Sequence, residues 1–247
     1  MVLLKNRNWS REELFSVLKL YCITPFGRIH SSNPEIIAAA KALDRTPSAV
    51  ALKMTNFASL DPTIERAGMK NVSKLDEEVW NDFFQNMDAY LENDSKNLTS
   101  RGLSEEPTEF IRAERLGHDV MRLRNTRTNQ DFFRATILAS YDNKCALTGI
   151  DARELLVASH IVPWSVDTVA RTDPRNGICL NALHDRAFDR GLMTFDETLA
   201  VRYSNKLPVH ARDMLEGFGR TKIRVPSKFA PDERYLHYHR THCFIAD

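Results

Sequence analysis

The feature that most constrains this chain lies between residues 155 and 191. An apolar run, Leu155-Leu156-Val157-Ala158, ends in Ser159-His160 and is stopped by Ile161-Val162-Pro163. A polar loop leads to Asn176-Gly177, and a second apolar run, Ile178-Cys179-Leu180, follows. Short apolar runs bounded by turn residues read as strands. Leu183 to Arg190 then predicts a short helix, with Gly191 at the position after its C-cap. Asp185 and Asp189 are four residues apart, so this helix shows them on one face, while Leu183, Ala187 and Phe188 bury on the other. His184 sits one residue before Asp185.

This pattern places a histidine at a strand end and a pair of carboxylates on the next helix. Oxygen ligands suit Mg²⁺ or Mn²⁺. A neutral imidazole suits proton abstraction from water near pH 7. A hard cation with a histidine base is the minimal equipment for phosphodiester hydrolysis.

Four sequence elements occur here in order: C-x-x-T-G from Cys145, A-S-H-I-x-P-W from Ala158, N-G-x-x-L from Asn176, and H-D-x-x-F-D-x-G-L from His184. In these the chain resembles the HNH (ββα-metal) endonuclease family, in its bacterial restriction or defence branch. The resemblance covers about residues 130–205. Gln130-Asp131-Phe132-Phe133-Arg134, the tail through His239-Arg240 and the segment 45–62 are also similar to such proteins. It implies that His160 is the general base and that Asn176 fixes the loop carrying it. Asp185 and Asp189 fall nine and thirteen residues after Asn176, at the family's two helix-borne metal positions. His184 competes with Asp185 for the first of these. Ser159 stands where the family usually has a metal-binding Asp or His, so a weaker hydroxyl ligand is expected there. Many members hold a structural zinc on four cysteines. Here Cys145, Thr148, Asn181 and His184 occupy those places, which argues against zinc and for hydrophobic packing in its stead.

Upstream, Ser10 caps a helix with Glu13 three residues on, as a capping box requires. Asn33-Pro34 and Thr46-Pro47 each pair a cap with proline at the first helical position, and so start two more helices. Val50, Leu52, Met54 and Phe57 are expected to bury, with Ser48, Lys53 and Asn56 facing outward as DNA contacts. Three short helices with a tight turn before the third describe a helix-turn-helix bundle. Residues 75–90 predict a fourth helix, residues 112–127 an arginine-rich short helix feeding a loop, and residues 130–143 a further helix. The expected fold class is α+β: an N-terminal helical, helix-turn-helix-like domain (1–90), a polar acidic linker (91–111), and a ββα-metal nuclease domain wrapped by helices (112–247).

The formal net charge is +1, but residues 1–75 carry +5, residues 76–119 carry −8 and residues 120–247 carry +4. Two mildly basic ends therefore flank an acidic middle. Arg186 and Arg190 share the helix of the carboxylates and are expected to clamp phosphates. The expected partner is double-stranded DNA, and a homodimer would supply the two active sites that cutting both strands requires. No apolar run reaches the length of a membrane span, and no secretory signal is seen. Four scattered cysteines form no CxxC pair, which fits a cytoplasmic protein. The competing expectation is a DNA-binding regulator on a nuclease scaffold that no longer cuts, and Ser159 is the residue that raises it.

Overall fold

A computed structural model describes residues 7–63, 72–87, 89–91, 117–166 and 170–246, with backbone alone for 117–127 and 218. Four helices come first: α1 (Arg11–Ile23), α2 (Pro34–Ala42), α3 (Pro47–Ala58) and α4 (Lys74–Gln85). The expected capping box closes on α1, and a second one, Ser73 with Asp76, starts α4. Asn33 and Thr46 accept backbone N–H bonds at the starts of α2 and α3, each followed by proline. Asp44 takes a φ of 51° in the turn between them. These helices bury Leu18, Tyr21, Ile36, Met54, Phe57 and Phe83 in a first core.

Two expectations for α3 fail. Lys53 and Asn56 are buried, 9% and 6% exposed, and Leu52 is 52% exposed. The reason for Lys53 is an acid from α4: its Nζ donates to both Asp76 carboxylate oxygens at 2.9 Å. Val50, Met54 and Phe57 are buried as expected, and Lys53 and Asn56 widen that inward face.

Residues 112–116 of the arginine-rich segment lie outside the described residues, and from Gly117 on it is not a separate short helix. A single helix, α5 (Gly117–Ser140), runs on to a turn in which Asp142 and Asn143 take positive φ. It forms a wall between two cores. Phe132 packs against the first core, edge-on to Phe83, while the adjacent Phe133 belongs to the second. The second core also gathers Ile137, Tyr141, Leu156, Ile178, Phe188 and Phe195.

Strands β1 (Leu156–His160) and β2 (Gly177–Asn181) pair antiparallel, with Ser159 opposite Ile178 and His160 opposite Gly177. Helix α6 (Ala182–Asp189) follows β2 directly, and Gly191 takes a φ of +67° beyond it. A second hairpin, β3 (Met193–Phe195) with β4 (Val201–Tyr203), then α7 (Val209–Phe218) and α8 (Glu233–Tyr238), completes a mixed α+β architecture. The two cores are tied by residues 228–230. Buried Lys228 Nζ donates to the carbonyls of Tyr21, Cys22 and Thr24 at 2.6–2.8 Å, where α1 ends. Phe229 packs in the first core, and its N–H donates to Asp61 at 2.8 Å. No helix among the described residues is long and apolar enough to cross a membrane. The expected linker lies outside the described residues apart from Leu91.

Candidate active site

The site is built on the end of β1, where side chains alternate between the two faces of the ribbon. Ser159 is 3% exposed and faces α6, where its hydroxyl favours the charged form of the Asp185 carboxylate. His160 points to α5, where its ring lies on Phe133 with centroids 3.9 Å apart and planes 10° apart. The structure thus brings Ser159, Asp185 and Asp189 together on one side of the strand end. His160 is placed on the other side, one residue away, where consecutive Cα atoms are about 3.8 Å apart.

His160 Nε2 lies 3.0 Å from the carbonyl oxygen of Arg171. A carbonyl can only accept, so Nε2 carries the proton and Nδ1 keeps a lone pair. Nδ1 has no hydrogen-bond partner among the described residues. Burial pushes the imidazole pKa down and the Arg171 carbonyl partly restores it, so the ring is neutral near pH 7. Trp164 stands edge-on to the ring at 5.4 Å.

Asn176 is 1% exposed and closes the loop that follows β1. Its side-chain oxygen accepts from Val162 N at 2.8 Å, and its amide donates to Val162 O at 3.2 Å and Ala170 O at 3.0 Å. Asn176 therefore anchors the Ala170 carbonyl, one residue before the Arg171 carbonyl that fixes the His160 tautomer.

On α6, Asp185 is half-buried and Asp189 is exposed. Burial raises the Asp185 carboxyl pKa, the Ser159 hydroxyl opposes this, and the neighbouring Asp189 charge raises it further. Arg186 reaches Asp189 at 3.8 Å, with both side chains more than 60% exposed, and Arg190 is also on the surface.

His184 does not join them. One residue along a helix is a rotation of about 100°, and this turns His184 into the core, where it is 0% exposed. Its Nδ1 contacts Asn181 Oδ1 at 3.1 Å and its Nε2 contacts Leu215 O at 3.2 Å. Cys145, Thr148, Asn181 and His184 are joined by hydrogen bonds, and Cys145 also packs in the second core beside Ala146 and Leu147, as expected from sequence. Asn181 N donates to Cys145 Sγ at 3.2 Å, and Asn181 Nδ2 donates to Thr148 Oγ1 at 3.2 Å. Asn181 Oδ1 also caps α6 by accepting from Leu183 N and His184 N.

Of the expected DNA contacts on α3, only Ser48 is exposed. Sequence reasoning missed Phe133, Arg134, Trp164 and Arg171, which surround His160. Phe133, Arg134, Trp164 and His160 line a groove of about 280 Å³ together with Gln130, Val157 and Ala158.

This arrangement, from the C-x-x-T-G turn through β1, β2, α6 and β3, is where a known family is recognised. Residues 145–196 match the HNH endonuclease family model. The match takes in Ser159, His160, Asn176, Asp185 and Asp189, and it stops short of Phe133 and Arg134. HNH domains are nucleases acting on DNA, generally with a divalent metal ion, and the match supports that activity for this segment. No curated protein matches the chain.

Proposed function

We propose that the chain is a DNA endonuclease dependent on Mg²⁺ or Mn²⁺, in which His160 activates the attacking water. The observation that carries this is the Nε2–H bond to Arg171, which leaves Nδ1 as a proton acceptor at the strand end that bears Ser159. Asp185, Asp189 and the Ser159 hydroxyl offer hard oxygens for the cation. No third His, Cys, Asp or Glu joins a metal-holding group among the described residues, so water and phosphate oxygens would complete the shell, as Mg²⁺ prefers. The carboxylate pair fits a cation for a further reason: burial and like charge both disfavour ionised Asp185, and a bound cation relieves both. When bound, the ion stabilises negative charge on the phosphorane and on the leaving 3′ oxygen.

The chain's own residues do the rest. His160 Nδ1 takes the proton of the water that attacks phosphorus, the P–O3′ bond breaks, and the 3′ oxygen takes a proton from solvent water, giving 5′-phosphate and 3′-hydroxyl ends. Asn176 anchors the loop at Ala170 O, next to the Arg171 carbonyl that holds Nε2–H, and so helps to keep the base in the required tautomer. With Lys53 turned inward, α3 offers the duplex Ser48 but no cation. Phosphate grip then falls to Arg186 and Arg190 on α6. Residues 1–90 would act as the helical DNA-binding unit and residues 112–247 as the nuclease unit, with a homodimer supplying two active sites. A role in restriction or defence rests on the resemblance of the motifs.

Nicking of supercoiled plasmid tests the proposal. Wild type should nick with Mg²⁺ or Mn²⁺ and stop with EDTA, and His160→Ala should be slower by about 10²–10⁴-fold. Absence of any metal-dependent nicking by wild type would reject it in favour of the non-cutting regulator.

A further inference from the structure

We infer that the groove beside His160 is a second phosphate-binding subsite, in which Arg134 holds the DNA backbone next to the scissile phosphate. This rests on the nuclease reading above, and names a substrate contact that the family match does not reach.

The inference starts from α5. Phe133 and Arg134 are consecutive, and both face the end of β1. Phe133 lies flat on the imidazole, so Arg134 is fixed beside the base by the same turn of helix. Arg134 is half-buried as a residue, and its guanidinium makes one bond, Nη2 to Arg153 O at 3.3 Å. Its remaining donors have no protein partner among the described residues. Gln130, one turn earlier on α5, adds an amide to the same wall. Trp164 forms another wall, and Arg171 braces it: Arg171 Nε donates to Trp164 O at 2.8 Å, and its guanidinium lies 5.3 Å from the ring centroid.

The lining is asymmetric in charge. Gln130, Phe133, Arg134, Val157, Ala158, His160 and Trp164 include one permanent cation and no carboxylate. The acids of the site are on the opposite face of β1, with α6. An open groove with a guanidinium, an amide and an indole suits a sugar–phosphate chain, since arginine forks phosphate oxygens and an indole face accepts sugar or base. A strand crossing the end of β1 would then meet cation-holding acids on one side, and His160 with Arg134 on the other.

Binding of a short fluorescent duplex to the full chain in EDTA, followed by anisotropy from 50 to 200 mM NaCl, tests this. Each phosphate contact contributes about 0.9 to the slope of log affinity against log salt. Arg134→Gln should therefore bind more weakly and flatten that slope by about one. The advantage of wild type over Arg134→Gln should shrink by about 3.5-fold across this fourfold salt range. Arg134→Lys keeps the charge and should keep the slope. Equal slopes for wild type and Arg134→Gln would overturn the inference, as would an Arg134→Lys slope as flat as that of Arg134→Gln. If wild type nicks plasmid but the slopes are equal, only the subsite falls. If wild type neither binds nor nicks, the nuclease reading falls with it.

Discussion

Gly177→Ala probes how tightly the core is coupled to the base. Gly177 pairs with His160 across the ribbon and has φ −140° and ψ 148°, extended values open to any residue. The backbone therefore does not require glycine. Space does: a Cβ there would lie 2.5 Å from Ile137 Cδ1, 2.7 Å from Phe133 Cζ and 2.8 Å from Ile137 Cγ1. Both neighbours are buried, and Phe133 is the ring under His160. Overpacking costs about 1–3 kcal/mol, against a gain of about 0.4–1 kcal/mol from the stiffer unfolded chain; with both neighbours buried, the mid-range net is a loss of about 1.3 kcal/mol. Ile137→Val removes the nearest methyl and alone should cost about 0.5–1.5 kcal/mol. In the double variant the two losses should fall short of their sum by at least about 0.5 kcal/mol. Urea denaturation of the four proteins measures this. The nicking rate should fall in Gly177→Ala and stay low in the double variant, because the contact with Phe133 remains. A Gly177→Ala protein within about 0.5 kcal/mol of wild type, or strict additivity, would refute the reasoning.

Two further outcomes follow from buried polar groups. His239 is 2% exposed, stacks on Phe188 and contacts Thr194 Oγ1 and Phe188 O, and burial lowers its pKa from 6.5 to about 4. The unfolded chain then takes the proton first as pH falls, so stability is intact above about pH 6.5 and is lost towards pH 4, by about 3 kcal/mol in all. Urea midpoints between pH 7 and 4.5 should fall steeply in wild type and less steeply in His239→Gln; parallel curves would contradict this. His160 and His184 are shifted in the same direction, so some slope should remain in the variant. Asn181→Ala removes the α6 cap together with the bond to Thr148, and should cost about 1–2 kcal/mol in the same denaturation assay. EDTA should leave the wild-type midpoint unmoved; a large fall would mean that a metal, and not this hydrogen-bond network, holds the turn.

What could be read from sequence was local. The strand–loop–strand–helix order was legible because each boundary carries its own residue: Pro163 after β1, Gly177 at the start of β2, Asn181 as cap and Gly191 beyond α6. The helix starts at Ser10, Asn33 and Thr46 were legible for the same reason. The 3.6-residue period also set Asp185 and Asp189 on the outer face, and applied strictly it would have turned His184 inward. Leu183, expected to bury on the inner face, is 51% exposed. Most other failures involve partners distant along the chain. Lys53 looked like a surface cation because its counter-charge, Asp76, lies on a different helix. Leu52 looked buried for its apolar side chain, although two residues, or about 200°, from Val50 it falls opposite the buried stripe. Lys228 and Phe229 sit in a stretch with no helical or strand period, yet they cap α1 and fill the first core. The surroundings of His160 belong to the same class. Phe133 and Arg134 show in sequence only as part of a helical repeat, and nothing local states that the helix will lie across the end of β1. Capping and periodicity are fixed within a few residues and survive in a one-dimensional reading. The setting of a general base is decided by which elements pack together, so the His160 tautomer became visible only once Arg171, held by Asn176, was placed against its ring.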